Sequence, residues 1–125
     1  MNEPQLIEAA EAYFAAVDRK DLAGTLAWLA PNARFEVASY NTVFQGHAQI
    51  SGMFERLFER YQGIWHGDFR HVVQPPELLA CQFRVRNTSA DGQVYHKNNS
   101  NFFRMGPQGL FVEVAVYMSG DNALR

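Results

Sequence analysis

The side chains best able to do chemistry fall at alternating positions in one segment, where Lys97, Asn99 and Asn101 run into Phe103 and Met105. Alternating residues of an extended strand share a face, so these polar groups point the same way as their apolar neighbours. A buried amide left unpaired costs about 1–3 kcal/mol, so Asn99 and Asn101 require partners. Either they contact a ligand, or they bond to each other and to Lys97. Four histidines, His47, His66, His71 and His96, could serve as acid or base, because imidazole titrates near neutral pH. On a straight strand the five-residue spacing of His66 and His71 sets them on opposite faces, which prevents joint chelation. No carboxylate stands at ligand spacing beside any of the four, so no metal site is expected. Which of the pair faces inward is left open, since residues 64–74 alternate poorly; His71 is carried forward as the candidate acid or base. Cys81 sits mid-strand among apolar residues with no base or helix N-terminus to lower its pKa, which makes it a core residue. Paired carboxylates, a His–Asp couple and a cofactor fingerprint are all missing from the pattern, and no cofactor is expected.

The elements that must position these groups follow from periodicity. Leu6, Ala9, Ala10, Tyr13, Phe14 and Val17 form one helix face over residues 3–18, with Pro4 tolerated in the first turn. Asp21 reads as the N-cap of a shorter helix with Leu22, Leu26 and Leu29 inside, ended by Ala30-Pro31-Asn32. Residues 34–37 alternate as a short strand, and a loop containing Gly46 follows. Helical spacing returns from Ala48 to Tyr61 through Ile50, Phe54, Leu57 and Phe58, with Gly63 as a left-handed cap. The period then becomes two, giving strands at 64–74, 78–88, 94–105 and 110–118, separated by Pro75-Pro76, Asp91-Gly92 and Gly106-Pro107-Gln108-Gly109. Three N-terminal helices before a meander of long strands predict an α+β fold, a single domain over residues 1–125 in which the helices close one face of a strongly curved antiparallel sheet.

A three-residue hairpin loop at 90–92, with Gly92 left-handed, pairs Ser89 with Gln93 and fixes the faces. Phe83 then opposes Asn99, and Cys81 opposes Asn101. Leu79, Cys81, Phe83, Val85, Lys97, Asn99, Asn101, Phe103 and Met105 share the inner face, joined by Val112, Val114, Val116 and Met118 of the last strand. Trp28 and Trp65 could form a stacking wall for a ligand, though their spacing makes them first of all core residues. The expected pocket lining is Trp28, Phe54, Phe83, Lys97, Asn99, Phe103, Val114, Val116 and Met118. Arg84, Arg86, Phe102, Arg104, Glu113 and Tyr117 fall on the outer face, where aromatic rings beside guanidinium groups suggest a symmetric homodimer.

Composition bounds the partners. At 47% hydrophobic and 19% charged the chain has material for a real core. A net charge of −2 without any basic run argues against nucleic acid. The acidic, amphipathic start lacks the form of a signal peptide and no apolar run is long enough to span a membrane, so with its single cysteine the chain is expected in the cytoplasm.

The stretches AYFAAVDRKDLAGTLAWLAPNARFEV, QGHAQI and NFFRMGPQGLFVEVAVYM, in this order, resemble the nuclear transport factor 2-like superfamily and within it the SnoaL-like group. The resemblance implies a cone with an internal pocket and a dimer through the outer sheet face. It is shared by isomerases, cyclases, dehydratases, epoxide hydrolases and non-catalytic binding modules. Compared with ketosteroid isomerases, it puts Tyr13 at the tyrosine of the oxyanion hole and Asn101 at the second donor, where an amide NH₂ could also donate. It puts Val37 at the isomerase catalytic aspartate and Ser119 at the acidic residue of SnoaL-type cyclases, so neither base is carried over. Two functions are therefore expected of the chain. One is an isomerase, cyclase or dehydratase that polarises a substrate oxygen with Tyr13 and Asn101; the other is a non-catalytic binding or assembly domain.

Overall fold

The computed structural model describes residues 1–125 and places three helices on one six-stranded curled sheet. Helix α1 (Glu3–Asp18) is started by a reciprocal cap in which Gln5 N donates to Asn2 Oδ1 and Asn2 N donates to Gln5 Oε1, each at 2.9 Å. Its inner face, Leu6 to Val17, is buried as its spacing requires. Helix α2 (Leu22–Leu26) begins on Asp21, whose Oδ1 accepts from Gly24 N at 2.8 Å. A Cβ on Gly24 would meet that carboxylate at 2.3 Å, so the cap depends on glycine there. The helix is shorter than expected: Thr25 is its buried residue, and Leu29 already belongs to strand β1 (Leu29–Val37). Strand β1 tolerates Pro31 because its pairing is interrupted between Leu29 and Arg34, where no ladder donor is needed.

A 3₁₀ turn (Ala38–Tyr40) and a strand absent from the periodicity reading, β2 (Thr42–Gln45), lead into helix α3 (Gly46–Arg60). Gly63 is no left-handed cap: the helix ends on extended Tyr61, and Gly63 opens strand β3 (Gly63–Gln74). Strands β4 (Leu78–Thr88), β5 (Val94–Met105) and β6 (Phe111–Met118) complete the sheet in the order β2-β1-β6-β5-β4-β3. Every neighbouring pair is antiparallel except β1 and β6, which run parallel and correct the all-antiparallel expectation.

The hairpin register is as expected: Gly92 has φ +87°, Ser89 N donates to Gln93 O, Phe83 opposes Asn99 and Cys81 opposes Asn101. Strand β6 departs at one point. The register shifts between Arg104 and Met105, so Phe111, not Val112, takes the fully buried inner position. The core lies between α1, α3 and the concave sheet face, with Phe14 packed on Phe83, His66 and Phe69 at centroid separations of 4.7, 5.0 and 5.1 Å. No helix is long and apolar enough to cross a membrane.

Candidate functional site

One internal cavity opens between α1, α3 and the inner faces of β3–β6, and its lining is mostly apolar. Strand parity delivers Phe83, Lys97, Asn99, Asn101, Val116 and Met118 to its wall; α1 adds Tyr13 and Phe14, and α3 adds Phe54. Asn87 and His66 also line it. The free space is about 40 Å³, room for a few waters and far below the roughly 300 Å³ of a typical ligand site.

The polar groups are few and mostly unsatisfied. Asn87, Asn99 and Asn101 each have a buried Oδ1 without a hydrogen-bond partner. Of the two alternatives, the network joining Asn99 and Asn101 to Lys97 is absent, because Lys97 Nζ instead donates to Ser119 O at 2.8 Å and to Asp121 O. Burial holds the Lys97 pKa below the ordinary lysine value, partly opposed by Asp121. Burial also drives the Tyr13 phenol far above its usual pKa, with Cys81 adding to the effect, so the hydroxyl stays protonated and can only enter ionic chemistry as a donor.

His66, one of the two histidines whose facing the sequence left open, lines the cavity, and its partner Asp18 is what the sequence reading missed. Its backbone N donates to Asp18 Oδ2 at 3.0 Å, and its Nδ1 lies 2.5 Å from Asp18 Oδ1. Both carboxylate oxygens of the last α1 residue are thus spent on one histidine, and in the neutral ring this contact selects the Nδ1–H tautomer, whose lone pair is on Nε2. The ring is packed between Phe14 and Phe83, at 5.0 and 5.6 Å.

The cause is a bulge. Gly67 pairs with Arg84 and Arg70 with Gln82, so Asp68 and Phe69 together oppose Phe83. The extra residue shifts parity, and His66 (opposite Val85) and His71 (opposite Cys81) both face the helices, not opposite sides. Asp68 adopts φ +55°, a left-handed conformation that Asp tolerates better than most residues. The signal was the Gly67-Asp68 pair itself, since both residues are disfavoured in a regular strand interior.

His71 does not reach the cavity. Its Nε2 pairs with Glu11 Oε2 at 2.8 Å, its ring stacks on Phe69, and its Nδ1 is buried without a partner. Histidine–carboxylate couples therefore exist, contrary to the sequence reading. His47 Nε2 meets Leu29 O at 2.9 Å, and His96 is exposed. No three His, Cys, Asp or Glu side chains gather as a metal would require.

Of the other expected lining residues, Trp28, Phe103 and Val114 lie off the cavity wall. Trp28 is half-buried at the entry to β1, while Phe103 and Val114 are deeper core. Trp65 is no stacking wall either: its ring lies over Gly67, with the Arg86 guanidinium 4.0 Å from its centroid. Burial pushes the Cys81 thiol up to about 12, so it is no nucleophile.

Helices gathered on a curled sheet around a hollow define the nuclear transport factor 2-like cone. The SnoaL-like domain matches residues 10–114, and the chain belongs to that family. Solved structures agree on the fold at low identity. A candidate polyketide cyclase from Xanthomonas campestris pv. campestris is 20% identical with a TM-score of 0.83, covering 94% of this chain and 92% of that one. SalBIII, an epoxide hydrolase/cyclase-like enzyme with a role in pyran ring formation in salinomycin, is 19% identical with a TM-score of 0.80 over 94% and 93%. TerC, co-crystallised with polyporic acid, is 16% identical with a TM-score of 0.79 over 92% of each chain. No curated protein sequence matches significantly.

Proposed function

We propose that the protein binds a small, largely apolar molecule bearing a carbonyl or hydroxyl oxygen in the cone cavity and moves a proton on it, as a cofactor-independent isomerase, cyclase or dehydratase. The observation that carries this reading is His66, oriented by Asp18 and lining the same apolar cavity as Tyr13, Asn99 and Asn101, the last two with amide oxygens that have no partner. His66 Nε2 takes a proton from carbon next to the substrate carbonyl, and the resulting imidazolium is held by the Asp18 carboxylate. The negative charge moves to the substrate oxygen, where the Tyr13 hydroxyl and the Asn101 NH₂ donate to it. Return of the proton to another carbon completes an isomerisation; its delivery to a leaving hydroxyl releases water. The family's own acidic residues are not needed, since histidine takes the place of the base missing at Val37 and Ser119. The structural neighbours support the substrate class: one is epoxide hydrolase/cyclase-like, another was crystallised with polyporic acid.

The test is solvent-deuterium incorporation into small cyclic ketones such as β-tetralone, followed by ¹H NMR. Wild-type protein should exchange the α-hydrogens about 10²–10⁴-fold faster than His66→Gln, with Tyr13→Phe and Asn101→Ala also impaired. Equal rates in wild type and all three variants would count against catalysis and favour a non-catalytic binding domain.

The same reading includes a homodimer through the outer sheet face and a cytoplasmic location. Phe102 and Tyr117 are about half exposed there and meet edge-to-face at 5.9 Å, Val72 is three-quarters exposed, and Arg84 and Arg104 flank them. The chain has no cysteine with which Cys81, buried and free, could form an internal disulfide.

A further inference from the structure

The cavity has a wall unlike its others. Ala123 and Leu124 line it, yet they belong to the segment after β6, residues 119–125, which forms neither helix nor strand. No backbone ladder ties this strap to the body. Lys97 Nζ donates to the carbonyls of Ser119 and Asp121, and Arg60 donates to Ala123 O at 2.5 Å and Arg125 O at 3.0 Å. Arg56 Nε reaches Arg125 O at 3.3 Å, Asn98 N donates to Ser119 Oγ at 2.9 Å, and the Tyr40 hydroxyl donates to Gly120 O. Gly120, at φ +68°, gives the strap a flexible start beside β6, and Lys97 lies close enough that a Cβ there would meet its Nζ at 3.2 Å.

A hollow of about 40 Å³ cannot take an organic ligand while every wall stays in place. Moving α1, α3 or a strand breaks helix or ladder hydrogen bonds and opens the aromatic core. Lifting the strap breaks the side-chain bonds just named and withdraws Ala123 and Leu124 from the edge of the core, leaving every helix and sheet hydrogen bond in place. We propose that residues 119–125 are a displaceable wall, latched by Lys97 and Arg60, and that Leu124 limits the size of ligand admitted while the latch is closed. This inference rests on the cavity being the ligand site, but its test uses no ligand and no turnover, so the two can fail separately.

The test compares thiol labelling by dithionitrobenzoate at two buried positions, native Cys81 and Cys81→Ala/Ala123→Cys, each rate normalised to a free thiol. Ala123 is 5% exposed and Cys81 2%, so both report opening events. Independent movement of the strap makes position 123 react at least about 10²-fold faster than Cys81. Lys97→Met and Arg60→Met should each raise the rate at position 123 by about tenfold, the worth of a hydrogen bond from a charged donor. Neither should change the rate at Cys81, which also shows that the variants stay folded. A common rate at the two positions, meaning that the strap leaves only on global unfolding, overturns the proposal. So does a fast rate at position 123 that ignores both latch variants.

Discussion

Burial keeps the Tyr13 phenol protonated across the physiological range, and the same effect makes Cys81 a pH reporter. The thiol has its ordinary pKa of 9.0 when the chain unfolds and about 12 in the fold. The unfolded chain therefore releases this proton first, and the stabilising contribution, intact below pH 9, is lost as pH rises through that window. Urea unfolding should show the wild type losing about 1.4 kcal/mol more than Cys81→Ala between pH 8 and pH 10. Parallel losses would mean that the thiol is not buried as described. Much of the site was legible at this scale, because period-two spacing alone places Lys97, Asn99 and Asn101 on the inner wall. His66 was not: its orientation depends on one inserted residue, and Asp18, its partner, is 48 positions away in sequence.

That inserted residue is a property of strand β3. Gly67 leaves no Cβ beside the Trp65 ring, where one would sit 2.2 Å from a ring carbon, and the Arg86 guanidinium lies over the indole. Gly67→Ala should displace Trp65 and cost about 1–3 kcal/mol in denaturant unfolding, the usual cost of overpacking. If stability and Trp fluorescence both stay unchanged, the tryptophan is not seated on the bulge. Strong punctuation explains why β4 and β5 were readable to the residue: a left-handed Gly92 sets one register and every face follows from it. Strand β1 was misjudged because Pro31 normally ends a regular element, and only the parallel partner β6 shows that the chain passes through it as an irregular strand. Strand β2, four residues long, is held by pairing with β1 and carries too little periodicity to announce itself.

At the scale of the molecule, a concave face closed by helices leaves the convex face of the sheet to solvent. Exposed Phe102, Tyr117 and Val72 on that face are the physical reason to expect a second copy there. Sedimentation equilibrium should report a dimer that Phe102→Asp converts to a monomer, with an unchanged unfolding signature for the inner core. A wild-type monomer at micromolar concentration would remove the dimer and leave the cavity untouched.

The cavity chemistry rests on His66 being held by Asp18 with Nε2 open to the ligand. Long-range ¹H–¹⁵N spectra of histidine-labelled protein, recorded during a β-tetralone titration, address this directly. The expected result is the Nδ1–H tautomer at His66, whose Nε2 resonance moves with ligand while His71 and exposed His96 stay still. An Nε2–H tautomer at His66, or ligand shifts confined to His96, would contradict it.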